Sequence, residues 1–228
     1  MAKYIRTLTV FYDTEISSRE IPFFRGAVLK SLGDKADLLY HNHTGAHTFR
    51  YSYPLIQYKR LGGKAAITCV EEGVNLVGPL LTDLNGPLTL GNREVFCRVA
   101  DIHSAKTAVE IQEPASVYRI HQWLALNARN YAAYQSTDNL VERLGILQRV
   151  LVGNILSFLK GVDVHTEEKL EVHISDITDQ HVWNYKDVKL MSFDICFKAN
   201  ISLPSYIGIG KNASIGNGVI LRKATTNK

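Results

Sequence analysis

Three histidines and four tyrosines crowd the stretch Tyr40-His41-Asn42-His43-Thr44-Gly45-Ala46-His47-Thr48-Phe49-Arg50-Tyr51-Ser52-Tyr53-Pro54-Leu55-Ile56-Gln57-Tyr58-Lys59. Imidazole titrates near neutrality, so a pair of histidines can take one proton and give another at physiological pH. Phosphodiester cleavage in RNA can use such a pair. A base activates the ribose 2′-OH, an acid protonates the leaving 5′-oxygen, and cations hold the charged phosphorane. That reaction requires no metal, because the nucleophile belongs to the substrate. A metal site would need more than His41, His43 and His47, and no Asp, Glu or Cys lies between Leu38 and Ile67 to complete one. A structural reading stands beside the chemical one, with histidines capping a loop and tyrosines packing a strand. Tyr51 and Tyr53 share one face of a strand by alternation, so one can pack while the other meets a ligand.

A second stretch with chemical potential is Gly208-Ile209-Gly210-Lys211-Asn212-Ala213-Ser214-Ile215-Gly216-Asn217-Gly218. Glycine reaches positive φ without a Cβ clash, and consecutive N–H groups can then converge on an anion. Lys211 adds a point charge and Ser214 a hydroxyl. The stretch is neither a P-loop, which leads through Gly-Lys-Ser/Thr into a helix, nor a dinucleotide fingerprint, which follows the first strand of a βαβ unit. An ordinary hairpin connection and a phosphate-contacting loop both remain open.

Charge is spread unevenly around a net +4. No acid occurs from Leu38 to Val70, where Arg50, Lys59, Arg60 and Lys64 lie, nor from Ile195 to the end, where Lys198, Lys211, Arg222, Lys223 and Lys228 lie. Acids gather instead between Asp163 and Asp194. Two basic segments far apart in sequence can form one face for a polyanion, or can be scattered surface lysines. No apolar run approaches the roughly 20 residues that span a bilayer, so no membrane partner is expected. The opening residues lack the features of a signal peptide. Cys69, Cys97 and Cys196, an odd and dispersed set, read as buried thiols of a reducing cytoplasm.

The elements that must position these segments read as an α+β fold. Ile5–Tyr12 alternates as a strand, and Pro22 through Gly33 has the proline and glycine punctuation of a helix. Strands are expected at Thr48–Tyr53, Leu55–Lys59, Ala65–Val70 and Arg93–Ala100, with a short helix from Glu71 to Val77. The second half shows a comparable order, with no repeat visible in the sequence itself. Tyr118–Leu124 reads as a strand and Asp138–Lys160 as a helix, with Leu140, Leu144, Leu147, Leu151, Ile155 and Phe158 in one stripe. Strands follow at Leu170–Ile174, Val188–Phe197 and Val219–Leu221. A boundary near Pro114 divides the chain into residues 1–114, carrying the His/Tyr segment, and 115–228, carrying the glycine loop.

Taken together, the two motifs resemble a known family. His-x-His followed by Tyr53-Pro54-Leu55-Ile56-Gln57-Tyr58-Lys59, the paired-glycine loop and the early Phe24-Arg25-Gly26-Ala27 look like the CRISPR-associated endoribonucleases that cut repeat RNA, in particular the "b" subtype of the sixth Cas family. The resemblance implies tandem ferredoxin-like (RRM-like) domains with antiparallel sheets. It implies cleavage within the CRISPR repeat that leaves a 2′,3′-cyclic phosphate and a 5′-OH, with no metal and no cofactor. On it, His41 and His43 are base and acid in either order, Tyr51 positions the reacting groups with Tyr53 as alternative, and Lys30 is a cation for the scissile phosphate. Gly208, Gly210, Lys211, Ser214, Gly216 and Gly218 carry RNA contacts, which Arg222 and Lys223 extend. Repeat RNA is the implied partner. Other CRISPR effector subunits or a second copy of the chain are further partners that such a role allows. The alternative is a non-catalytic RNA-binding subunit. The chain departs from the family pattern at Asn217, where a hydrophobic or aromatic residue is usual, and in having only Lys211 as a base in its spacer.

Overall fold

The computed structural model describes residues 3–36, 40, 43–45, 48–49, 53–185 and 188–223, with the backbone alone described at 43–45, 48–49, 183–185 and 188–189. Contacts divide it into two compact units. One comprises Tyr4–Thr107 with Ala213–Gly216, the other Met1–Lys3, Ala108–Asn212 and Asn217–Lys228.

In the N-terminal unit, β1 (Lys3–Glu15) leads into α1 (Ile21–Leu32), which has Pro22 in its first turn and Gly33 at its C-terminal cap. Gly33 adopts φ +52°, and its N–H closes on the Leu29 carbonyl, so the expected punctuation is the punctuation used. A short hairpin, β2 (His43–Gly45) and β3 (Thr48–Phe49), precedes β4 (Ile56–Leu61) and β5 (Lys64–Val70). After a 3₁₀ turn at Glu71–Leu76 come α2 (Gly78–Thr82), the hairpin β6 (Gly86–Leu90) and β7 (Arg93–Cys97), and β8 (Val99–Val109). The sheet order is β4-β5-β1-β8. The core lies between one sheet face and α1, where Phe24 meets Tyr12 and Tyr58 edge-on at 5.8 and 6.2 Å. The opposite face is also buried, and it is polar. Gln57 and Lys59 on β4, Thr68 on β5, and Thr7 and Thr9 on β1 are all buried, with Thr9 and Thr68 bonded through their hydroxyls at 3.1 Å.

The C-terminal unit contains β9 (Ile111–Trp123), α3 (Ala128–Gln135), α4 (Leu140–Gly161), β10 (Val172–Tyr185), β11 (Val188–Ile201) and β12 (Val219–Arg222). Its sheet order is β10-β11-β9-β12. Asn127 and Asn139 cap α3 and α4 by accepting from the N–H groups of Asn130 and Val141. At 22 residues α4 has the length and apolarity to cross a bilayer, yet Leu147, Leu151, Ile155 and Phe158 form one buried stripe. Tyr118 stacks on Phe197 at 5.3 Å, donates to the Ile201 carbonyl and accepts from the Leu203 N–H, tying three segments at one buried hydroxyl.

Each sheet has the strand order of a ferredoxin-like unit, so the fold is α+β with tandem ferredoxin-like domains. Strands run beyond expectation in the C-terminal unit: β9 starts at Ile111, β10 continues to Tyr185 and β11 to Ile201. The strand expected from Arg93 to Ala100 is broken at Arg98 into β7 and β8. All three cysteines are buried and unpaired.

Candidate functional site

The His/Tyr segment is tethered on both sides by buried tyrosines. Tyr40 is fully buried in the core, and its hydroxyl donates to the Leu76 carbonyl. Tyr58 donates back to the Tyr40 carbonyl at 3.4 Å. On the far side Tyr53 is 6% exposed, and Gln57 Nε2 donates to the Pro54 carbonyl at 2.9 Å. Burial pushes the Tyr53 phenol well above its ordinary pKa, which suits packing. Between these anchors β2 pairs with β3 in the register His43↔Phe49 and Gly45↔Thr48, so His43 opens a two-stranded ribbon. His41 and Tyr51 lie outside the described residues, as does His47. Lys30 stands exposed in the last turn of α1, on the side away from Phe24 and Val28.

Lys59 is the group that the sequence did not single out. It is fully buried, and its ammonium has no hydrogen-bond partner among the described residues. Burial alone pulls its pKa down to about 7. The residue stood in view inside the Tyr53–Lys59 motif, but alternation with Ile56 and Tyr58 assigns it to a solvent face.

The glycine loop is built from crossings that only glycine permits. Gly218 adopts φ +66°, and a Cβ there would stand 1.9 Å from the Ile209 carbonyl oxygen. The two strands of chain meet at that point: Ile209 N–H donates to the Gly218 carbonyl at 2.9 Å, and Gly218 N–H to the Gln122 carbonyl. Gly208 bridges Val219. These two outer glycines therefore form the buried base of the loop. Gly210, at φ +82°, lies against Asn154 and Trp123, and Lys211 is exposed at the tip. Ser214 is half-buried in a 3₁₀ turn (Ala213–Ile215), and Gly216 packs against Ile21 and the Tyr58 carbonyl of the N-terminal unit to which it belongs. Arg222 and Lys223 are exposed at the end of β12. The Arg222 guanidinium donates to Ser116 Oγ at 2.9 Å, and Lys223 is pinned through its backbone N–H to Val117.

A further constellation lies on β9 and β11. His121 Nδ1 is hydrogen-bonded to Asp194 Oδ2, Gln122 N–H donates to Asp194 Oδ1 at 2.8 Å, and Arg119 approaches at 3.8 Å. Burial pushes the Asp194 carboxyl up, but the His121 ring, the Gln122 N–H and Arg119 outweigh it and hold the pKa below the usual range. Its signal in sequence, Arg-x-His on one strand and a lone Asp in an apolar strand, is too common to be read.

A family model described as the Cas6b N-terminal domain matches residues 3–108, and one described as the Cas6b C-terminal domain matches residues 110–223. A crystal structure of Cas6b is similar at TM-score 0.85 and 25% identity, over 97% of this chain and 100% of that one. A crystal structure of a CRISPR RNA processing endoribonuclease Cas6b is similar at TM-score 0.73 and 24% identity, with the same coverage. An uncharacterized protein of Methanocaldococcus jannaschii is 39% identical over 103 residues, which is 45% of this chain and 69% of that protein.

Proposed function

The chain belongs to the Cas6b family, and on that premise we propose that it is an endoribonuclease that cuts precursor CRISPR RNA within the repeats. The observation that carries this reading is that both halves match family models, residues 3–108 and 110–223, leaving almost none of the chain outside them. Cleavage proceeds without a metal. One of His41 and His43 takes the proton of the ribose 2′-OH, the oxygen attacks phosphorus, and the other protonates the departing 5′-oxygen. Products are a 2′,3′-cyclic phosphate and a 5′-OH. Tyr51 positions the reacting groups, and Lys30 offers charge to the phosphorane. The loop from Gly208 to Gly218, with Arg222 and Lys223, holds the strand. The enzyme meets its transcript in the cytoplasm.

The tethering of the histidine segment supports this assignment, because buried Tyr40 and Tyr53 fix the chain on either side of the short ribbon that begins at His43. His41→Ala and His43→Ala are each expected to slow single-turnover cleavage by about a hundredfold or more, with repeat-RNA affinity nearly unchanged. Intact rates in both variants would remove this segment from the reaction. Tight binding with no cleavage by the unaltered protein would favour a non-catalytic RNA-binding subunit.

A further inference from the structure

Beside the glycine loop, the C-terminal unit opens a cavity of about 700 Å³ whose charged lining is Arg129 from α3, Arg149 from α4 and Lys211 from the loop tip. No carboxylate lines it. None of the three cations has an ion pair or side-chain hydrogen bond among the described residues. Two of its asparagines are already committed through their oxygens. Trp123 Nε1 can only donate, and it donates to Asn154 Oδ1 at 2.8 Å; Asn130 N–H donates to Asn127 Oδ1 at 2.8 Å. Each therefore retains an Nδ2 donor.

The cavity depends on Gly210. A Cβ there would stand 2.7 Å from Asn154 Oδ1 and 3.0 Å from Trp123 Nε1, so only glycine lets the loop lie close enough to bring Lys211 to this lining. A neighbouring cavity of about 800 Å³ shares Arg149 but is mixed in sign. Glu113 and Glu171 line it, and Glu171 already pairs with Lys169. Of the two, the acid-free cavity presents cations and amide donors without an opposing charge. Three cations on separate elements, around a volume far larger than one phosphate, leave room for more than one anionic group of a chain.

We propose that this cavity is an RNA-backbone subsite, in which Arg129, Arg149 and Lys211 receive consecutive phosphodiesters of a strand passing α4. None of its residues belongs to the His/Tyr segment, so it contributes to grip and not to proton transfer. The proposal rests on the reading of the chain as a repeat-RNA enzyme.

The test uses the full-length protein with Arg129→Ala/Arg149→Ala. Both residues are exposed, and a melting curve checks that the fold is kept. Affinity for repeat RNA is measured across about 0.05–0.2 M salt. The slope of log affinity against log salt should fall in magnitude by about 1.4, since each of the two lost phosphate contacts on a single strand removes about 0.7. Affinity at mid-range should drop about tenfold or more. Ala133, which also lines the cavity, supplies a second variant: Ala133→Glu should weaken binding where Ala133→Gln, equal in size, does not. An unchanged slope in the double variant, while the unaltered protein binds and cuts repeat RNA, would overturn the subsite alone. Failure of the unaltered protein to bind repeat RNA would overturn the functional reading and the subsite with it. Saturable binding of inorganic phosphate that the double variant loses, with RNA affinity intact, would give the cavity to a free anion and overturn the proposal.

Discussion

The ammonium of Lys59 has been taken out of water with no counter-charge among the described residues, and its pKa falls to about 7 from 10.5. Between those values the unfolded chain binds the proton that the folded chain has released. Stability therefore rises with pH across that window, and the full penalty applies below it. Lys59→Met should stabilise the fold by roughly 1–4 kcal/mol at neutral pH and abolish the rise. Denaturant titrations at pH 7 and at about pH 10 check this; equal stability of the unaltered protein at both would contradict it. This residue also marks a limit of sequence reading. Alternation told correctly which side of β4 faces α1, through Ile56 and Tyr58, but one strand carries no information about whether its other side is covered. The exposure of Lys30 has the complementary reason: α1 has one apolar stripe, and position 30 lies off it.

Among the elements, the glycine loop makes the sharpest demand on its sequence. Gly218→Ala places a Cβ on the Ile209 carbonyl at a positive φ, and should cost roughly 2–4 kcal/mol. Gly26→Ala is the contrasting substitution. It lies in α1, nothing stands within 4 Å of its added Cβ, and it should gain about 0.5–1 kcal/mol. Thermal midpoints of the two variants, moving in opposite directions, check the pair; similar shifts would contradict the loop geometry. Elements with strong punctuation or a single apolar stripe, such as α1 and α4, could be read directly. The middle of β8 could not, because its residues from Ala100 to Ala105 face solvent on nearly every side and leave no alternation to detect. The far half of β10 is equally polar, and it is held as a strand by its ladder with β11, a partner no local pattern reveals. Helix α3 escaped notice because its eight residues bury little beyond Tyr134; Asn127 as a cap was its only local sign.

At the scale of the whole molecule, the two units repeat one plan with one substitution. In the N-terminal unit the connection back to the last sheet strand passes through a 3₁₀ turn, α2 and a hairpin. Ahead of β12, the return to the last strand of the second sheet runs through the glycine loop, with its 3₁₀ turn at Ala213–Ile215, where a second helix would stand. The α+β character was foreseeable from the succession of elements, whereas the replacement of a helix by a glycine loop follows from close crossings at Gly210 and Gly218 that no local pattern reveals. Residue type and spacing drew attention to the histidines, while the anchoring of their segment by Tyr40 and Tyr53 depends on burial set by distant parts of the unit. The central claim is that this chain cuts repeat RNA by proton transfer alone. Incubating the purified protein with end-labelled RNA spanning a CRISPR repeat, in excess EDTA, tests it most directly. One discrete cut bearing a 2′,3′-cyclic phosphate is the expected result; activity that disappears with the chelator, or no cut at all, would contradict it.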